Sequence, residues 1–200
     1  MKSKLILVTG GARSGKSSYA ESLVTAYSKG REEKAAYLAT AQALDQEMTE
    51  RIRKHRSSRP RGWQTYEEPF WPHKAFQQAA EAGKEVMLLD CLTMLTSNWL
   101  CRLAEPGADQ LEQQPLWENI LPPFTGLLDQ IKSRENTVLI LVTNEVGWGI
   151  VPENAFTRVF RDIAGRVNCL AAQHADEVWL VVAGQPLRIK PGFGDKDALI

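Results

Sequence analysis

Eight consecutive residues, Gly10-Gly11-Ala12-Arg13-Ser14-Gly15-Lys16-Ser17, fit the pattern GxxxxGK(S/T) at every position. Its glycines let the backbone fold into a concave nest whose N–H groups converge on phosphate oxygens. The helix that must follow adds the positive end of its dipole. Lys16 would reach the β- and γ-phosphates of a nucleoside triphosphate, and the Ser17 hydroxyl would ligate Mg²⁺. A second group is His55, set among Arg51, Arg53, Lys54, Arg56, Arg59 and Arg61. So dense a run of cations in a chain of zero net charge suits a triphosphate, whose charge guanidinium groups neutralise. Their field favours a neutral, nucleophilic imidazole, whereas a place at a helix C-terminus pulls the other way. A solvated basic helix face is the competing reading of the same residues. Third, Asp90 ends an apolar strand, as does the acidic residue that holds Mg²⁺ through water in nucleotide sites; a solvated strand-end carboxylate is its simpler reading. His73, in a Trp-Pro-His turn, and His174, near a helix end, read as structural.

These groups need a frame to hold them. Lys4–Thr9 is a short apolar run stopped by glycines, the mark of a buried parallel strand, and a helix follows from Lys16 to Ser28. Ala35–Ala39 is a second strand. Asp45 caps a helix running to His55, which Ser57-Ser58-Arg59-Pro60 ends. Trp63–Glu67 forms a short strand and Lys74–Ala82 a helix closed by Gly83. Val86–Leu89 leads to Asp90, and Thr93–Leu103 is helical. Glu105–Pro123, with its prolines, reads as an elaborated surface connection before a helix through Leu127–Ser133. Thr137–Val142 is a core strand. Phe156, Phe160, Ile163, Val167 and Leu170 recur at helical spacing. Glu177–Val182 is the last core strand, and Leu187–Lys190 returns beside it through Gly184-Gln185-Pro186. Strands alternating with helices predict one α/β domain over residues 1–200, with a mostly parallel sheet flanked by helices and an antiparallel C-terminal edge.

Zero net charge argues against general attraction to nucleic acid or membrane. Cys91, Cys101 and Cys169 are widely spaced and form no CxxC, so they read as reduced thiols of a cytoplasmic protein. No apolar run approaches a membrane span, and the N-terminus carries no signal-peptide pattern.

Three stretches carry a resemblance. The first is ILVTGGARSGKS (Ile6–Ser17). The second is Tyr37–Ala41 with Asp45–Glu47 and RIRKHRSSRPRGWQTYEEP (Arg51–Pro69). The third is VTNEVGWGIVPEN (Val142–Asn154), continued by Phe160–Asn168 and Ala175–Lys190. Together they resemble the bifunctional adenosylcobinamide kinase / adenosylcobinamide-phosphate guanylyltransferase family of cobalamin biosynthesis. The pairing of HRxxRPxxWxTxE with NEVGxGIVPEN is far more specific than the phosphate loop alone.

The resemblance implies a RecA-like P-loop fold, homotrimers and two activities. ATP or GTP phosphorylates adenosylcobinamide; GMP then passes from GTP to adenosylcobinamide phosphate through a guanylylated histidine, here His55. It further implies nucleotide contacts from the loop Gly10–Ser17, from Ala39, Thr40 and Ala41, from Arg56, Ser57, Ser58 and Arg59, and from Glu67 and Asp90. Lys54 stands where some relatives carry a second histidine, Asp90 where a glutamate is expected, and Cys169 where a glutamine is. The turn Asn144–Gly147, at the carboxyl edge of the sheet, is assigned to the corrinoid or nucleotide site. A plain P-loop small-molecule kinase, with His55 as one member of a basic face, is the runner-up. A GTP-dependent switch is less well supported, because no NKxD-type guanine motif is present.

Overall fold

The structure, a computed structural model, describes residues 2–57, 59–103 and 113–191. Its strands are β1 (Lys4–Gly10), β2 (Ala35–Ala39), β3 (Gln64–Glu67), β4 (Val86–Asp90), β5 (Val138–Val142), β6 (Glu177–Val182) and β7 (Gln185–Lys190). They form one sheet in the order β3-β2-β4-β5-β1-β6-β7. Every pairing is parallel except β6 with β7. The helices are α1 (Lys16–Ser28), α2 (Gln46–Ser57), α3 (Pro72–Glu81), α4 (Leu92–Leu103), α5 (Gln113–Lys132) and α6 (Ala155–His174).

Central strands of a parallel sheet are covered on both faces, which is why β1, β4 and β5 read as unbroken apolar runs. Alternate side chains enter two cores. Ile6, Val8, Leu88, Ile140 and Val142 meet Ala20 and Val24 of α1 on one face. Leu7, Met87, Leu89, Leu139 and Leu141 meet Phe76, Leu95, Phe124 and Ile163 of α3 to α6 on the other.

Register brings distant motifs to one edge. Glu67 pairs with Ala39, Ala39 with Asp90, Asp90 with Val142, and Val142 with Val8. This row lies at the carboxyl ends of the strands, where open α/β sheets carry their sites.

Three segments differ from expectation. The Pro-rich stretch is not a surface connection from residue 113 onward: Gln113–Lys132 is α5, with Pro122 and Pro123 inside it. An interior proline costs about 3 kcal/mol. Leu116, Ile120, Phe124, Leu127, Leu128 and Ile131 are all buried along one side of α5, and each such side chain returns about 1.5–3 kcal/mol. Packing therefore outweighs propensity. Residues 104–112 of that stretch lie outside the described residues. The C-terminal hairpin turns at Ala183-Gly184, both at positive φ (50° and 79°), so Gln185 and Pro186 belong to β7. Pro186 is tolerated because β7 is the edge strand. Finally, α3 starts at Pro72, which suits the first helical turn because it has no N–H to leave unsatisfied. His73 is thus helical rather than in a turn. Among the described residues, no helix is long and apolar enough to cross a membrane.

Candidate active site

The loop between β1 and α1 takes the shape its glycines permit. Gly10 has φ +156°, and a Cβ there would stand 2.4 Å from the Val181 carbonyl oxygen and 2.7 Å from Ser14 Oγ. Gly15 has φ +94° and packs against Gly184, whose N–H donates to the Ser14 carbonyl at 2.8 Å. The hairpin turn between β6 and β7 thereby pins the loop from outside. Lys16 is buried, and its Nζ donates to the Gly11 carbonyl at 3.1 Å. Burial holds its pKa below the ordinary lysine value, with Cys91 and Asp90 pulling the other way.

This loop forms one wall of a cleft of about 1350 Å³. Ala12, Arg13, Lys16, Ser17, Ala39, Ala41, His55, Arg56, Arg59, Glu67 and Asp90 all line it. Gly10, Gly11, Ser14 and Gly15 complete the loop around them. Thr40 serves otherwise. It is 1% exposed, its hydroxyl donates to the Cys91 carbonyl at 2.9 Å and accepts from the Cys91 N–H at 2.8 Å, and Asn98 donates to its carbonyl at 2.7 Å. It ties the end of β2 to the end of β4. Ser57 is exposed, with its hydroxyl on the Lys54 carbonyl at 2.9 Å. Ser58 lies outside the described residues.

Helix α2 starts as its sequence requires, Asp45 Oδ1 accepting from the Met48 N–H at 2.7 Å. It buries none of its residues. Met48, Ile52 and His55, at helical spacing, are half-buried and face the cleft. The basic cluster divides: Arg51, Lys54, Arg56 and Arg59 line the cleft, whereas Arg53 pairs with Glu50 at 2.9 Å and Arg61 stands off the cleft wall. Arg56 lies 3.7 Å from Glu67. The Arg59 guanidinium sits 3.2 Å above the Tyr37 ring, and the Tyr37 hydroxyl donates to Asp90 Oδ2 at 2.8 Å. Burial, then the Asp90 charge, raises the Tyr37 pKa. Tyr37 is thus a neutral prop that orients Asp90.

Other members escaped the sequence reading. Glu21, one turn beyond Ser17 on α1, has its pKa raised by burial; His55 and Arg59 work against that shift and Asp90 adds to it. His55 and α1 therefore share one electrostatic neighbourhood. Asn168, buried on α6, accepts from Thr143 Oγ1 at 2.7 Å and donates to the Asn144 carbonyl at 3.1 Å and to Glu145 Oε1 at 3.2 Å. Thr9 Oγ1 also donates to Glu145 Oε1, at 2.6 Å. Thr93 Oγ1 accepts from the Asn144 N–H at 2.8 Å. The turn after β5 is thus held rigidly at the cleft, lined by Asn144, Glu145 and Val146. The available signal was a polar residue at a core position, Asn168 beside Val167 in an amphipathic helix.

The Cys91 thiol is buried and pushed up to about 12, so it is neither a nucleophile nor a ready metal ligand. His73 and His174 stand away from the cleft. Among the described residues, no group of three or more His, Cys, Asp or Glu side chains could hold a metal ion. Mg²⁺ bound with a nucleotide needs no such cage, since it keeps its waters and takes phosphate oxygens. Ser17 and Asp90 on one cleft supply oxygen donors of the kind it accepts.

Comparison with known proteins bears on the fold and the family. One solved structure, the flagellar accessory protein FlaH from Methanocaldococcus jannaschii, matches with a TM-score of 0.50 and 13% identity, over 95% of this chain and 81% of that one. At that identity the likeness is one of fold, the P-loop, RecA-like architecture. The bifunctional adenosylcobalamin biosynthesis protein CobU of Salmonella typhimurium is 43% identical over 93% of this chain and 99% of its own length. Its Escherichia coli namesake is 44% identical over the same shares. Residues 6–189 match the family model described as cobinamide kinase / cobinamide phosphate guanyltransferase. With the phosphate loop, His55 and Asp90 on one cleft and near full-length likeness to CobU proteins, this chain belongs to the cobinamide kinase / cobinamide phosphate guanyltransferase family.

Proposed function

We propose that this protein phosphorylates adenosylcobinamide with ATP or GTP, and then transfers GMP from GTP to adenosylcobinamide phosphate through a guanylylated His55. The observation that carries the reading is that His55 lines the same cleft as Lys16 and Ser17. Direct γ-phosphoryl transfer needs no covalent histidine, whereas a histidine on that cleft suits attack on the α-phosphorus of a triphosphate held by the loop. His55 attacks the α-phosphorus of GTP, the bond to the β-phosphate breaks and pyrophosphate leaves. A phosphate oxygen of adenosylcobinamide phosphate then attacks the guanylylated histidine and frees it, giving adenosylcobinamide-GDP. Dividing one transfer into two displacements is what a covalent nucleophile contributes.

Lys16 and the loop N–H groups hold the β- and γ-phosphates in both reactions, while Arg51, Arg56 and Arg59, which line the same cleft, offset charge. Ser17 and, through water, Asp90 would hold Mg²⁺, which when bound neutralises phosphate charge.

The test is direct. Incubated with GTP, Mg²⁺ and adenosylcobinamide, the protein should yield adenosylcobinamide phosphate first and adenosylcobinamide-GDP after it. Formation of the phosphate alone would reduce the enzyme to the plain kinase reading. The homotrimer belongs to the same proposal, and the exposed apolar side chains of Trp148, Ile150 and Val151 beyond the cleft turn suit a subunit contact. Light scattering should return the trimer mass; a fully active monomer would refute this part.

A further inference from the structure

We infer that Glu145 is the general base of the kinase step, accepting the proton of the acceptor alcohol as its oxygen attacks the γ-phosphorus; this rests on the kinase reading above. The two reactions differ in what the acceptor needs. In guanylyl transfer the attacking group is a phosphate oxygen that is already anionic. In the kinase step it is an alcohol, whose proton must leave as the new O–P bond forms.

Glu145 is placed for this. It follows β5, the strand between β1, which carries the phosphate loop, and β4, which carries Asp90. Its N–H donates to the Gly10 carbonyl at 3.2 Å, so its backbone is fastened to the first residue of the loop. Its side chain lines the cleft with Lys16. Among the described residues, its carboxylate takes two hydrogen bonds, from Thr9 Oγ1 at 2.6 Å and Asn168 Nδ2 at 3.2 Å. Both fall on Oε1. Both donors are buried, which fixes the side chain from beneath and leaves Oε2 for an acceptor hydroxyl.

Of the other cleft carboxylates Glu47, Glu50, Glu67 and Asp90, all but Glu47 have a role or partner of their own. Glu50 pairs with Arg53, Glu67 faces Arg56, and Asp90, which takes the Tyr37 hydroxyl, is the carboxylate assigned above to Mg²⁺. Glu47 is exposed in the first turn of α2, the helix that carries His55. The partners of Glu145 are a hydroxyl and an amide, so its proton-accepting capacity is not spent on an ion pair. In the step itself the alcohol O–H bond breaks toward Oε2 and the oxygen bonds to the γ-phosphorus. The bridging P–O bond breaks, and the nucleoside diphosphate leaves with that electron pair. Glu145 then returns its proton to water.

Glu145→Gln keeps the volume and the acceptor for Thr9 and Asn168 but removes the base. Its kinase kcat on adenosylcobinamide should fall by on the order of 10²–10⁴-fold, with the nucleotide KM little changed. GMP transfer to pre-formed adenosylcobinamide phosphate, whose attacking oxygen is already anionic, should fall far less than the kinase rate, and the turnover that remains reports that the variant is folded. Glu145→Asp, which withdraws the carboxylate by one methylene, gives a second measurement: kinase rate reduced, GMP transfer kept. An unreduced kinase rate in either variant would overturn the assignment, and so would an equal fall of both activities in a variant that melts like wild type. A wild type that forms no adenosylcobinamide phosphate would overturn the kinase reading, and the base assignment with it. An active wild type beside an active Glu145→Gln would overturn the base alone.

Discussion

Lys16→Ala should lower both the kinase and the guanylyltransferase rate by on the order of 10²–10³-fold or more, the usual loss when one preorganised donor to developing charge is removed. One lysine serves both reactions because both begin from a triphosphate in the same loop. The variant should remain folded. Among the described residues, Lys16 Nζ makes one hydrogen bond, to the Gly11 carbonyl, and burial lowers its pKa. A lysine whose folded pKa lies below its unfolded value costs stability at every pH where both states are charged. That cost fades only as pH rises through the folded pKa. At neutral pH the substitution therefore relieves a cost. The melting temperature without nucleotide should hold, while the rise that GTP produces in the wild type should shrink, since only binding to the native state supplies that rise. Near-normal kinetics for both activities would refute the phosphate-loop assignment.

What the sequence disclosed and what it hid follow a physical division. The phosphate cradle is local: Gly10 to Ser17 carry their own backbone requirements, and neighbours such as Val181 only close around them. The central strands were legible for a similar reason, since burial on both faces leaves a continuous apolar signature in β1, β4 and β5. Helix α5 was hidden because its prolines are local signals, whereas the packing of Phe124 and Ile120 that overrides them is tertiary. Support of the site was hidden by distance. The bond from Thr9 to Glu145 joins residues 136 apart, and that from Asn98 to the Thr40 carbonyl joins residues 58 apart. Thr40 illustrates the difference between motif and role. It lies between two residues that line the cleft, yet its hydroxyl is spent on Cys91. The basic cluster was legible as a cluster, but which cations face the cleft depends on the rotation of α2 about its axis. Composition says nothing of that rotation, and the half-buried stripe Met48, Ile52 and His55 reveals it.

His55→Ala should abolish guanylyl transfer while leaving the kinase. Incubated with GTP labelled at the α-phosphate, the wild type should take up one GMP per active chain. The linkage should be labile to acid and stable to base, as a nitrogen–phosphorus bond is and a serine or threonine ester is not. The variant should carry no label, and its rate of GMP transfer should fall by on the order of 10³-fold or more, because the two-displacement route is lost with its nucleophile. The kinase should survive, because the alcohol attacks the γ-phosphorus directly. The fold should survive too, since His55 sits in the last turn of a helix that buries none of its residues. Label kept in His55→Ala would overturn the assignment, and so would label mapped to His73 or His174, which stand away from the cleft. Loss of both activities in a well-folded variant would mean something narrower. His55 would then also position nucleotide for the kinase step, as its half-buried place on the cleft it shares with Lys16 allows. Paired with Glu145→Gln, the two variants should separate the chemistry cleanly: one keeps phosphorylation without guanylylation, the other guanylylation without phosphorylation. Such a double dissociation would place two reactions on one triphosphate cradle with different partners for the acceptor, a nucleophile on α2 and a base after β5.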